Sequence, residues 1–140
     1  MKILLAVDGS AYTKRMLAYL AAHDELFGET PEYHATTVVA PVPPHVTRFV
    51  DKATIDQYYA DEADRVLKPV QAFAAQNQWN LAATHLVGRA ADVIAETAIS
   101  GSFDLLVIGS HGHSSLANLL LGSVAARVMA LCTTPVLFIR

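Results

Sequence analysis

Cysteine is nearly absent: Cys132 stands alone in 140 residues, so no internal disulfide can form. It lies among apolar residues near the end of the chain, where a small buried side chain is its expected role. Long hydrophobic runs are missing as well. Although 53% of the residues are hydrophobic, no stretch reaches the roughly 18 to 20 uncharged residues that a bilayer crossing needs. The expectation is a soluble chain with no membrane partner. The opening stretch, Met1 to Val7, meets Asp8 too soon for a signal-peptide core and no small-residue cleavage site follows, so a cytoplasmic location is expected. Basic clusters are lacking too. Ten Lys and Arg stand against 13 Asp and Glu, a formal charge of −3, with no patch to neutralise a row of phosphates. Nucleic acid is therefore not an expected partner.

Catalytic and metal constellations are equally thin. His111 and His113 have no cysteine or acidic triad to complete a coordination shell, which argues against a dedicated metal site. Ser114 and Ser115 lie near these histidines, but Gly-x-Ser-x-Gly does not occur, and acyl transfer needs an elbow, an orienting acid and an oxyanion hole. The acidic residues from Asp56 to Asp64 read as a solvated helix face. His34, His45 and His85 are scattered, and surface or structural roles suffice for them. No general base for hydrolysis stands out.

What is present is alternation, over a length that suits one domain, residues 1–140. Lys2 to Val7 is a short apolar strand, Asp8 to Ser10 a turn, and Met16, Leu17, Leu20 and Ala21 then recur at helical spacing until Gly28. Tyr33 to Val39 is rich in β-branched residues and precedes a proline loop, Pro41 to Pro44. Ala53 to Gln76 carries one apolar stripe and reads as a long helix that Pro69 should bend. Leu81 to Val87, Leu105 to Ile108 and Pro135 to Ile139 read as strands, with helices around Asp92 to Ser100 and Ser123 to Leu131. Five strands alternating with four helices predict an α/β fold, an open doubly wound parallel sheet.

The most informative segment is Gly109 to Ser123, GSHGHSSLANLLLGS. Glycines at 109, 112 and 122 let backbone amides approach an anion without a Cβ in the way, and amides at a helix start add their dipole field. Gly122, Ser123 and Val124 thus form a candidate phosphate cradle. No Gly-Lys-Ser/Thr follows, so this is not a Walker loop, and its glycines are too widely spaced for the dinucleotide fingerprint.

The spacing Gly109, two residues, Gly112, nine residues, Gly122 and Ser123 resembles the ATP-binding signature of universal stress proteins. That loop commonly reads Gly-Ser-His-Gly and ends Leu-Leu-Gly-Ser-Val, as Leu120 to Val124 do here. Val7-Asp8-Gly9-Ser10 is similar to the family's first turn and Thr134-Pro135-Val136 to its last strand. The resemblance implies an adenine-nucleotide alpha-hydrolase-like sheet of order 3-2-1-4-5, with ligands bound where the winding reverses. It implies further that Asp8, preceded by Ala6 and Val7, meets the ribose or adenine side, and that backbone groups of Val39 hold the adenine edge. Gly109, Gly112, Gly122, Ser123 and Val124 would hold phosphates, with Ser110, His111 and His113 completing the set.

The implied ligand is ATP, ADP or AMP, with any magnesium ion carried on the phosphates. The implied protein is a stress-response regulator, a homodimer through Val136 to Ile139. A slow ATPase and a nucleotide-free dimeric scaffold are the alternatives. His113 departs from relatives that often carry Lys or Arg there, so a full-time charge near the phosphates is missing. Ala90 replaces a frequent proline, which should affect loop rigidity more than chemistry. Gly122→Val is expected to abolish nucleotide binding while largely sparing the fold; calorimetric affinity equal to that of the unaltered protein would overturn the cradle.

Overall fold

The computed structural model describes residues 1–113 and 118–140. Its strands are β1 (Lys2–Ala6), β2 (Glu32–Val39), β3 (Asn80–Val87), β4 (Leu105–Gly109) and β5 (Val136–Ile139), all parallel, in the order β3-β2-β1-β4-β5. The expected sheet and its order are both present. Consecutive strands in a parallel sheet need crossovers, which α1 (Ala11–Ala22), α3 (Lys52–Gln76), α4 (Ala90–Ser100) and α5 (Ser123–Leu131) provide.

The central strand β1 is short and buried on both faces. Along β1 and the residue after it, Ile3, Leu5 and Val7 point to one side and Leu4 and Ala6 to the other, the period of two that a pleated strand imposes. The first set packs with Met16, Leu17 and Leu20 of α1 and Ala63, Leu67 and Val70 of α3. The second packs with Ala91, Ile94 and Ala98 of α4 and Val128 of α5. The winding therefore switches face between the two halves of the chain, and β1 lies at the switch.

Helix number departs from expectation. Among the described residues there are five α-helices, because the proline stretch expected as a loop ends in a one-turn helix, α2 (Pro44–Thr47). Proline's preset φ and missing N–H suit the first helical turn, where no intrahelical partner exists for that N–H. The first helical pattern also stops early: α1 ends at Ala22, and Asp24–Phe27 forms a separate 3-10 turn before Gly28 at φ 86°. Pro69 lies inside α3. Helix α4 begins at Ala90, two residues before the expected Asp92.

At the amino ends of the strands, Tyr33 stacks on Trp79 at 4.5 Å between ring centroids, and Phe73 meets Trp79 edge-on at 5.5 Å. This aromatic cluster closes the core beneath α3, far from the carboxyl ends of β1 and β4. Leu20 is fully buried between α1 and the sheet. Leu20→Ala should lower the unfolding free energy by about 2–5 kcal/mol, as truncation of a buried leucine does elsewhere; denaturant titration measures it.

Candidate functional site

Ala6 pairs with Ile108, so the ends of β1 and β4 lie side by side. The chain leaves β1 through Val7 and Asp8 and leaves β4 through Gly109 and Ser110, and both turns bound one cleft of about 360 Å³. That volume falls within the range of small-molecule sites. Ala6, Val7, Asp8, Gly109, His111, Gly112, His113, Gly122, Ser123 and Val124 all line it.

Asp8 is held from two directions. Its Oδ1 accepts from the Ser10 N–H at 2.9 Å and from the Thr13 hydroxyl at 2.9 Å, while Ser10 caps α1 by accepting from the Thr13 N–H. The carboxylate is thereby fixed at the strand end, with Oδ2 turned toward Gly112. A Cβ on Gly112 would lie 2.7 Å from that oxygen. Only a residue without a side chain lets the two turns approach this closely. His113 then crosses the gap, its Nε2 donating to the Asp8 carbonyl at 2.6 Å.

The rest of the loop is tied by its own polar groups. His111 Nε2 donates to the Leu119 carbonyl at 2.9 Å, and its Nδ1 accepts from the Ser110 hydroxyl at 3.0 Å. Ser110 itself is buried: its N–H donates to Ile139 and its carbonyl accepts from the Gly122 N–H, both at 2.7 Å. Ser110 thus anchors the loop to β5 without lining the cleft. The Gly122 amide is likewise spent inside the protein, so the donors at the start of α5 are those of Ser123, Val124 and Ala125. That helix has no side-chain cap on its first turn, and all three residues line the cleft. Uncapped first-turn amides and the helix dipole favour a bound anion there.

Val39 stands apart from the other nominated residues. Its carbonyl accepts from the Gly88 N–H at 3.0 Å and its side chain packs on the α3 side of the sheet, whereas Val38, one residue earlier, lines the cleft. The alternation of a strand puts neighbours on opposite faces, and the cleft opens on the α4 side. Sequence reasoning also missed Thr13, Ile94, Ile108 and Ala125 as lining residues. Of these Ile108 was recoverable, because strand period two places it on the same face as Leu106. Ala90, expected to matter for rigidity, also lines the cleft as the first residue of α4. Ser114 and Ser115 lie outside the described residues. A Cβ on Gly122 would sit 3.2 Å from the His111 Cα and 3.3 Å from the Ser110 carbonyl. Gly122→Val therefore presses on the loop's seat as well as on the cleft.

Beside the cleft, Arg127 of α5 bridges to Asp92 of α4 at 2.8 Å. The hydrogen bond from this guanidinium holds the Asp92 carboxyl below the usual carboxylate range, with the Arg127 and Arg89 charges adding to it. A depressed carboxyl pKa stabilises the fold above the unfolded-state value, near 3.9, and this contribution is lost as pH falls through the lower folded value. At neutral pH the bridge is fully present. Among the described residues no cluster of three or more His, Cys, Asp or Glu gathers as a metal site, and no helix is long and apolar enough to cross a membrane.

A doubly wound α/β sheet with an open cleft at its winding reversal defines a class of α/β proteins in which the crevice at the strand ends is the usual ligand position. Within that class the chain belongs to the universal stress protein family, which it matches along residues 1–140. A universal stress protein of Thermus aquaticus is 31% identical over 139 residues, covering 99% of this chain and 97% of its own length. One from Synechocystis sp. is 30% identical over 139 residues, or 99% of this chain; the chain spans 42% of that relative.

Solved structures share the fold at lower identity. The universal stress protein UspA of Lactobacillus plantarum superposes with a TM-score of 0.80 at 22% identity, covering 100% of this chain and 97% of its own. The universal stress protein of Archaeoglobus fulgidus in complex with dAMP gives 0.70 at 22% identity, covering 100% and 98%. A family member from Arabidopsis thaliana with AMP bound gives 0.70 at 15% identity, covering 99% and 90%.

Gly112→Ala should cost about 1–3 kcal/mol, the usual penalty for overpacking, because the pinned Asp8 carboxylate must move. Equilibrium unfolding of the variant beside the parent measures it.

Proposed function

We propose that this chain is a single-domain universal stress protein that binds an adenine nucleotide, ATP, ADP or AMP, in the cleft between β1 and β4. One observation carries the reading: the uncapped amides of Ser123, Val124 and Ala125 face a cleft whose other wall is apolar. Phosphate belongs at the helix start and the base against Ala6, Val38, Ile94 and Ile108. Asp8 Oδ2 then faces the ribose hydroxyls, the short polar contact that orients a nucleoside in a mostly apolar site. The adenine nucleotides named in complexes of two family members, AMP and dAMP, support the same ligand class.

A magnesium ion would fit here only as a passenger on the phosphates, since Asp8 is the one carboxylate lining the cleft among the described residues. We read the protein as a cytoplasmic regulator in the stress response, its occupancy biasing a homodimer. Strand β5 supports the dimer: it is an edge of the sheet, pairs on one side with β4, and leaves Val136, Leu137 and Phe138 only partly covered. Apolar edges invite pairing, and a two-fold axis would close this one.

Titration calorimetry of nucleotide-freed, magnesium-supplemented protein is expected to show binding of ATP, ADP and AMP and none of GTP. Equal binding of GTP would remove adenine from the reading, and no binding of any nucleotide would leave a scaffold.

A further inference from the structure

A second, smaller recess of about 180 Å³ adjoins the cleft. Ala90, Ser123 and Val124 line both, so the starts of α4 and α5 form their shared wall. The recess adds Arg89, Asp92 and Arg127 to that wall. Arg127 is four residues beyond Ser123 on α5, which places the two side chains on one face of the helix. Arg89 is the residue from which α4 starts, and that start, like the start of α5, has no side-chain cap. Two guanidinium groups and two positive helix ends therefore surround one carboxylate.

The carboxylate engages its arginines poorly. Arg127 Nη2 and Nε both donate to the same oxygen, Asp92 Oδ1, at 2.8 and 3.3 Å, rather than forming a fork across two oxygens. Asp92 Oδ2 is buried without a hydrogen-bond partner, with Arg89 Nε 3.5 Å away. A phosphoryl group offers several oxygens to the planar fork of an arginine, and charge-assisted pairs of that geometry are the stronger ones.

We propose that this recess receives the phosphates beyond the first of a bound nucleotide, with Arg127 exchanging Asp92 for the terminal phosphate and Arg89 joining it. Phosphate count is then read by these arginines, while the α5 amides hold the phosphate common to all three nucleotides. The inference rests on the adenine-nucleotide reading above. Asp92 acts as the internal competitor that keeps Arg127 positioned when the nucleotide is short.

The test is calorimetry with AMP and ATP on the nucleotide-freed protein and on two variants. Arg127→Gln should weaken ATP about tenfold, the effect of losing one charge-assisted hydrogen bond, while AMP affinity stays within about twofold of the parent. Asp92→Asn should tighten ATP and leave AMP unchanged, a gain that a merely damaged fold cannot produce. Equal losses for both nucleotides in Arg127→Gln, or no loss, would overturn the phosphate-reading role; no gain in Asp92→Asn would overturn the exchange. An unaltered protein that binds AMP but not ATP would also sink this inference and spare the reading beneath it. Failure of both nucleotides to bind the unaltered protein would remove both.

Discussion

The pairing of β1 with β4 is the constraint from which the site follows. With Ala6 held beside Ile108, two turns a hundred residues apart must leave the sheet at the same place, and each has to make room for the other. The Asp8 turn meets this demand with an Asx-type hydrogen bond to Ser10 that keeps its backbone tight. The other turn does so by omitting a side chain at Gly112. The hydrogen bond from His113 to the Asp8 carbonyl then joins them directly. Neither turn would hold this shape alone, because each supplies the other's boundary.

Among the described residues, several polar groups of the loop serve its own architecture. Ser110, the Gly122 amide and both ring nitrogens of His111 are consumed internally, fixing the loop to β5 and to its own far end. Among the described residues, the first turn of α5 and Asp8 line the cleft, together with the Gly112 and His113 turn. This arrangement explains how a loop poor in fixed charge can still serve an anion: oriented amides need no cation, and their cost of ordering is met when the protein folds. One turn further along α5, Arg127 ties that helix to α4 through Asp92, while Arg89 sits at the start of α4.

Much of this was legible in the sequence. The strand-helix alternation predicted the sheet because short apolar runs bounded by turn residues have few other uses, and the spacing of Gly109, Gly112 and Gly122 located the loop. The resemblance to the family then supplied the strand order. What stayed hidden depended on which face a residue takes or where a hydrogen bond ends. Val38 and Val39 are indistinguishable by composition, and only the side on which α4 packs makes one a wall of the cleft. The Gly122 amide looked available until its partner, the Ser110 carbonyl, came into view. Arg89, Asp92 and Arg127 carried no signal, since their meeting joins helices 35 residues apart that only the winding brings together. The one-turn α2 escaped because prolines read as breakers, although at a helix start they are compatible.

The aromatic cluster at the foot of the sheet has an optical consequence. Trp79 is the chain's only tryptophan, and it is packed against Tyr33 and Phe73 at the amino end of β3, whereas the cleft opens at the carboxyl ends of the strands. Eight residues of strand separate those two levels, a span of about 26 Å at the rise of an extended chain. The tryptophan emission is thus a gauge of whether the sheet is assembled and is silent on what the cleft holds.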